Sequence, residues 1–215
     1  MQIIIIGAGL AGLSAAIALS SPINTQKHKI LILESASKLA EVGAGVQLTP
    51  VATRQFLAWG LGPSLLAAAA LPESWSLRRG SDGEVLNRVD MRKLEKDYGA
   101  PYIVVHRADL HRILHDHATG RGVEVRLKSR VRRYGVEEGW VELEDGERLE
   151  ADLIVACDGI DSSARAQLLE SQGFEAKECL ERTGWAGYRA MCDVEDVRRD
   201  PLTKETVAQH AAHCW

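Results

Sequence analysis

The chain opens on four consecutive isoleucines, Ile3 to Ile6, a β-branched run with no polar face. Such a run predicts a strand covered on both sides, as in a parallel sheet. Three spaced glycines follow, then small and apolar residues from about Leu10 to Ser20, a helix ended by Pro22. Ile30 to Leu33 predicts a second buried strand and completes a βαβ unit that starts at residue 2, with no leader ahead of it. Tyr102 to Val105 and Leu153 to Ala156 predict two more buried strands of the same doubly covered sheet.

Between these strands the pattern is more polar. Thr49-Pro50 has the form of an N-cap followed by proline at the first helical position, opening a helix to about Trp59. Gly60 and Gly62-Pro63 break it, and a second helix runs through Leu65 to Ala70 and ends at Pro72. Residues 74–90 predict a strand pair around Asp82-Gly83. Ala108 to Ala118 predicts a helix stopped by Gly120. Val123, Val125 and Leu127, then Val131 to Val136, alternate like exposed strands, and Trp140 to Leu143 pairs across Asp145-Gly146. The fold class is therefore α/β, a Rossmann-like domain with a βαβ N-terminus, an inserted β-hairpin region and inserted strands at about 74–90 and 121–148.

Composition narrows the function classes. With 46% hydrophobic and 26% charged residues and a net charge of -4, the chain has a globular balance that does not point to nucleic acid. The one basic cluster, Lys128, Arg130, Arg132 and Arg133, sits beside Glu137-Glu138 and reads as a solvated strand face. Ile3 to Leu19 carries no charge, but no Lys or Arg precedes it and it is short for a span of about 20 residues, so no membrane span is expected. Cys157, Cys179, Cys192 and Cys214 form no CxxC pair and fit reduced thiols in a cytoplasmic compartment. His111 and His115, with Asp116 and His117 nearby, invite a metal reading. Without HExxH spacing or a third ligand, solvated histidines on an amphipathic helix are the better account, and no metal is expected.

The candidate chemistry lies in Gly7-Ala8-Gly9-Leu10-Ala11-Gly12, a G-x-G-x-x-G run between the first strand and the first helix. Gly7 makes the tight turn, Gly9 lets backbone approach a pyrophosphate, and Gly12 lets the helix pack close to the strand. The helix N-terminus offers free N–H groups and the positive end of its dipole. Glu34 follows the second strand 22 residues after Gly12, where a carboxylate accepts hydrogen bonds from an adenosine ribose. The alternative is a glycine-rich turn with an incidental surface glutamate. The same carboxylate repels a 2′-phosphate, so the ligand is FAD or NAD rather than NADP.

Three further segments are similar to those of class A flavoprotein monooxygenases, the group containing salicylate and 3-hydroxybenzoate hydroxylases. Gly43-Ala44-Gly45-Val46-Gln47-Leu48-Thr49-Pro50-Val51-Ala52-Thr53-Arg54 resembles the family's GAGIQLPPNATR stretch. His106-Arg107-Ala108-Asp109-Leu110 resembles its HRxDL segment. Asp158-Gly159, followed by Asp161-Ser162-Ser163-Ala164-Arg165, resembles its GADGxxSxxR motif, with Cys157 in place of alanine. These segments occur in the family's order along the whole chain. The resemblance implies FAD as cofactor, Glu34 on the adenosine ribose, Gly45 along the flavin path and Arg107 at the pyrophosphate. A guanidinium suits a diphosphate because it donates two parallel hydrogen bonds; the alternative is an ordinary helix-start arginine. It also implies that Asp158-Gly159 lies close to the cofactor, against a plain strand-to-helix turn capped by Asp161 or Ser162. Thr183 to Ala190 resembles a strand entering the substrate domain, on which Arg189 orients an anionic substrate or the flavin, or is a surface arginine.

On that resemblance, residues 1–180 form the FAD-binding domain and 181–215 begin a substrate domain that is incomplete. NADH or NADPH is the expected electron donor, with O2 and a small aromatic molecule as co-substrates. The family's later GD motif and the sheet that carries a substrate-deprotonating histidine are absent, and His213 precedes that position and is not assigned the role. Exposed apolar surface and self-association are expected as a result. A non-catalytic dinucleotide-binding remnant and an NAD-dependent dehydrogenase are the alternatives, the latter without a Tyr-x-x-x-Lys pair to support it.

Overall fold

The computed structural model describes residues 1–21, 28–39, 43–174, 181, 183–187, 190–208 and 210–214. The elements in chain order begin with β1 (Gln2–Ile6), α1 (Leu10–Leu19) and β2 (Lys29–Leu33). Next come β3 (Gly45–Leu48), α2 (Pro50–Ala58), α3 (Gly62–Ala68), β4 (Ala69–Ala70), β5 (Ser74–Arg78) and β6 (Val85–Asp90). Then follow α4 (Arg92–Tyr98), β7 (Ile103–His106), α5 (Arg107–Gly120), β8 (Glu124–Arg126), β9 (Val131–Gly135), β10 (Trp140–Leu143) and β11 (Arg148–Glu150). The chain closes with β12 (Leu153–Ala156), α6 (Ser163–Ser171), α7 (Val194–Arg199), a 3-10 turn at Lys204–Val207 and β13 (Ala211–Cys214). Contacts divide it into two units, Met1–Glu41 with His111–Ala186, and Val42–Leu110 with Gly187–Trp215.

The first unit is built on a parallel sheet in the order β12-β1-β2-β8. Ile3 pairs with Leu153 on one side and Ile30 on the other, and the isoleucine run is buried throughout. Successive side chains alternate between faces. Ile4 and Ile6 join Leu33, Val131, Val141 and Leu143 in a cluster under a small antiparallel sheet, β11-β10-β9. Ile5 faces α1, whose Leu13 and Ile17 are fully buried. The continuous apolar run is thus explained by two covered faces.

Three strand expectations differ from the structure. β8 is not one of the inserted strands. It pairs parallel to β2, Leu31 opposite Glu124, and forms the sheet's outer edge, so its alternation is that of an edge strand. The insertion in this unit is therefore β9 to β11. β12 is the opposite edge and is only half-covered, with Leu153 39% exposed. β7 does not enter the parallel sheet at all. It lies in the second unit between β3 and β4, antiparallel to both. An apolar run reports burial; it carries no information about which strand lies alongside.

The second unit holds β3-β7-β4 and a separate sheet, β13-β5-β6. The β5–β6 hairpin turns at Asp82-Gly83, where Gly83 has φ 76°, as the sequence predicts. β13 runs parallel to β5, Ala211 opposite Ser74, so residues 74–90 and 211–214 share one sheet. The linear division at residue 180 puts those two stretches in different domains. α2 starts at Thr49 with Pro50 in its first turn, although the Thr49 side chain makes no capping bond. α4 has no counterpart in the sequence expectations; it ends at Gly99, in the left-handed region at φ 73°. Among the described residues of 183–190 there is no strand, and Arg189 lies outside the described residues. No helix of the described residues is long and apolar enough to cross a membrane.

Candidate functional site

The turn after β1 is shaped by its glycines. Gly7 sits at φ 98°, and a Cβ there would come within 2.6 Å of the Cys157 carbonyl oxygen. A Cβ at Gly12 would overlap the Gly7 carbonyl oxygen, so α1 starts hard against the turn only because residue 12 is bare. Gly9 differs from both. It caps α1 with ordinary φ of -73°, and among the described residues nothing lies within 4 Å of the place its Cβ would take. Among the described residues no side chain caps α1, so its first N–H groups stand uncapped.

Glu34, at the end of β2, is half-buried and turned toward this loop. Its Oε2 accepts the Ala8 N–H at 2.8 Å, and its Oε1 accepts the Ala36 N–H at 2.8 Å and the Ser35 hydroxyl at 3.3 Å. Burial alone would raise its carboxyl. The bonds from Ala36, Ala8 and Ser35 outweigh that and hold it below the usual carboxylate range. The other side of Ala8 is held as well. His111 Nε2–H donates to the Ala8 carbonyl at 2.7 Å, and the histidine is only 6% exposed. His111 is therefore not the solvated residue its helix pattern predicts: it leaves water because a backbone acceptor waits for it. Among the described residues no three His, Cys, Asp or Glu side chains cluster as metal ligands.

Asp158 and Gly159 follow β12. The Asp158 Oδ2 accepts the Ala164 N–H at 3.1 Å and faces the Ser163 hydroxyl at 3.4 Å, while Ser162 caps α6 by accepting the Arg165 N–H at 3.0 Å. Burial pushes the Asp158 carboxyl up, but the Ser162 hydroxyl and the backbone N–H groups at the helix start bring it below its ordinary value. Gly159 takes φ 85°. The strand-to-helix turn capped by Ser162 is thus present as the alternative has it, with Asp158 bonded to the start of α6.

Gly7, Gly9, Glu34, Asp158 and Gly159 meet around a cleft of about 500 Å³ at the carboxyl ends of β1, β2 and β12. Ligands of open parallel sheets bind there, beyond the carboxyl ends of the strands. The cleft also takes in Arg130, Arg132 and Tyr134. Tyr134 sits 3.4 Å from the Ser163 hydroxyl, and burial raises its phenol. In the sequence these arginines are legible only as a basic strand face; their alternation with buried Val131 is the available signal. A glycine cradle, an uncapped helix start and a carboxylate on the second strand fit the adenosine-diphosphate half of a dinucleotide.

Gly45 and Arg107 belong to the second unit. Gly45 opens β3 opposite His106, and the Arg107 N–H donates to the Ala44 carbonyl at 3.1 Å. A Cβ at Gly43 would come within 2.8 to 3.2 Å of the Arg107 Cβ, Cδ and Cγ, so that glycine makes room for the arginine's stem. The β3–β7 pair thus brings the GAG stretch and Arg107 together. The same unit has a cavity of about 430 Å³ lined by Gln47, Leu71, Val104, Val207, His210 and His213. Arg78 Nε donates to His213 Nδ1 at 3.3 Å. Burial, with the Arg78 and Arg88 guanidiniums, lowers the His213 pKa against a smaller opposing pull from the Thr206 backbone. Sequence position alone gives His213 no role, and its place in this cavity is visible only in three dimensions.

Residues 1–213 match the family described as FAD binding domain. The chain is 35% identical to the FAD-dependent monooxygenase OpS4 of Beauveria bassiana (strain ARSEF 2860), over 100% of this chain and 49% of that protein. It is 29% identical to 3-hydroxybenzoate 6-hydroxylase of Klebsiella oxytoca, over 100% of this chain and 52% of the other. Among solved structures, Klebsiella pneumoniae HpxO complexed with FAD and uric acid aligns with a TM-score of 0.66 at 28% identity, covering 81% of this chain and 42% of that one. Native FqzB aligns with a TM-score of 0.73 at 28% identity, covering 94% of this chain and 43% of its own. The chain spans about half the length of the curated relatives it matches.

Proposed function

We propose, from the premise that the chain belongs to the FAD binding domain family, that it is the cofactor-holding half of an NAD(P)H-dependent flavoprotein monooxygenase acting on a small aromatic molecule. The observation that carries this reading is the junction of Glu34 with the glycine loop inside the cleft at the ends of β1, β2 and β12. Bound FAD would supply the redox chemistry, taking electrons from NADH or NADPH and passing them to O2, so that one oxygen atom enters the ring as hydroxyl and the other leaves as water.

The chain's own residues bind and orient. Gly7 and Gly12 shape the loop, and Gly9 leaves its open side to the pyrophosphate. Glu34 takes the ribose hydroxyls on the lone pairs its backbone partners leave. Asp158 and Gly159 border the same cleft, and Arg107, steadied by the Ala44 carbonyl and given room by Gly43, serves the pyrophosphate. Gly45 lies along the flavin path, and Arg189 orients an anionic substrate. The free thiols of Cys157, Cys192 and Cys214 support a reducing, cytoplasmic location.

Competition titration tests the reading. The chain should bind FAD in preference to NAD, followed by quenching of flavin fluorescence; a clear preference for NAD would favour the dehydrogenase alternative.

A further inference from the structure

We infer that His111 is a positioning residue for the phosphate-binding loop: it holds the Ala8 carbonyl so that the Gly9 N–H is presented to the pyrophosphate. The inference rests on the FAD-binding reading and concerns a residue outside the G-x-G-x-x-G run, 103 positions away from Ala8.

The argument is peptide geometry. The Ala8 carbonyl and the Gly9 N–H belong to one planar unit, and no peptide bond among the described residues is cis. In a trans peptide the carbonyl and the N–H point in opposite directions. His111 draws the carbonyl toward α5 at 2.7 Å, so the Gly9 N–H faces away from the imidazole. Gly9 lines the cleft, and among the described residues nothing lies within 4 Å of the place its Cβ would take. The preceding peptide is held from the opposite side, since Glu34 accepts the Ala8 N–H. Ala8 is therefore gripped at both its polar groups, and neither peptide of the G-x-G turn is free to flip. A buried imidazole with its proton on Nε2 suits the task, because a carbonyl only accepts. A loop already in its bound orientation loses less on binding.

Binding of FAD, ADP and adenosine to wild type and to His111→Phe and His111→Gln tests this, with adenosine and ADP measured by competition against FAD fluorescence quenching. His111→Phe keeps the ring but donates nothing. It should weaken FAD and ADP by about tenfold to a hundredfold while leaving adenosine, which has no phosphate, unchanged. His111→Gln, whose amide can donate to the same carbonyl, should restore most of the loss. An ADP-to-adenosine ratio equal to wild type in His111→Phe, or a Gln variant no better than Phe, would overturn the inference. If His111→Phe does not fold, His111→Met takes its place: selective loss of ADP over adenosine supports the inference, and a wild-type ratio overturns it. Wild-type chain that binds neither FAD nor ADP would overturn the FAD-binding reading and this inference together, whereas an unchanged ratio overturns the inference alone.

Discussion

Glu34 and Ala8 are joined by a hydrogen bond of 2.8 Å from the backbone N–H of one to the carboxylate of the other, which ties the end of β2 to the turn after β1. The carboxylate holds the loop, and in the proposed function it also receives the ribose. Glu34→Ala should weaken FAD by about 1.5–3 kcal/mol, the scale of hydrogen bonds to a charged group. It should also cost about 1–2 kcal/mol of stability, because the Ala8 N–H loses its acceptor. Calorimetry and urea unfolding measure the two separately; full FAD affinity in the variant would remove Glu34 from the ribose.

The same bonds set an acid limit. Glu34 and Asp158 both titrate below their ordinary values in the folded chain. A depressed carboxyl stabilises the fold fully above its unfolded pKa, about 4.3 for Glu and 3.9 for Asp, and that contribution fades as pH falls through the lower folded value. Stability should therefore be flat across neutral pH with respect to these groups and decline below about pH 4. In Glu34→Gln the decline should be shallower, measured as the urea midpoint against pH.

Gly9 and Gly12 should separate by phenotype. Gly12→Ala forces a methyl group into the Gly7 carbonyl, backbone against backbone, and should destabilise by about 1–3 kcal/mol or more. Gly9→Ala meets nothing among the described residues and keeps an accessible φ, so its melting temperature should be close to wild type. Its methyl group would stand where a pyrophosphate approaches, and FAD affinity should drop sharply. A Gly9→Ala protein that retains FAD would show that the pyrophosphate lies elsewhere.

Apolar surface in the first unit predicts self-association. Ile160 is 74% exposed and Phe174 61%, and a groove of about 370 Å³ beside β12 is lined by Val136, Leu153, Ile154 and Leu168. Each ~200 Å² of apolar surface left in water forgoes about 5 kcal/mol of burial. Sedimentation velocity should show mass rising with concentration, and Leu168→Lys should return the chain toward monomer. A monomer at every concentration would exclude association through this groove.

The glycine loop and the β5–β6 hairpin were legible because local conformation demands glycine there: φ 98° at Gly7 and φ 76° at Gly83. Pairing was not legible. Ile103 to His106 is as apolar as a parallel-sheet strand, yet its partners are Gly45 to Leu48 and Ala69-Ala70. Glu124 to Arg126 looks exposed because one of its edges is, while the other is bonded to β2. His111 and His115 share a helix face by spacing. One is buried and the other is not, and the Ala8 carbonyl that decides it is remote in sequence. Arg130 and Arg132 reach the cleft through the placement of β9, which no charge count conveys.

The parallel sheet ends differently on its two sides. On the β8 side stand three residues, two of them charged, with Arg126 held by Glu147; on the β12 side stand Leu153, Ile154, Val155 and Ala156 with no charge among them. Charged, short edges resist strand addition and plain apolar ones invite it. A filament built through this sheet would need one receptive side to meet another at every junction, and among the described residues the sheet has only one. Two molecules joined β12 to β12 would leave only β8 outermost, so growth by this route stops at a two-fold pair.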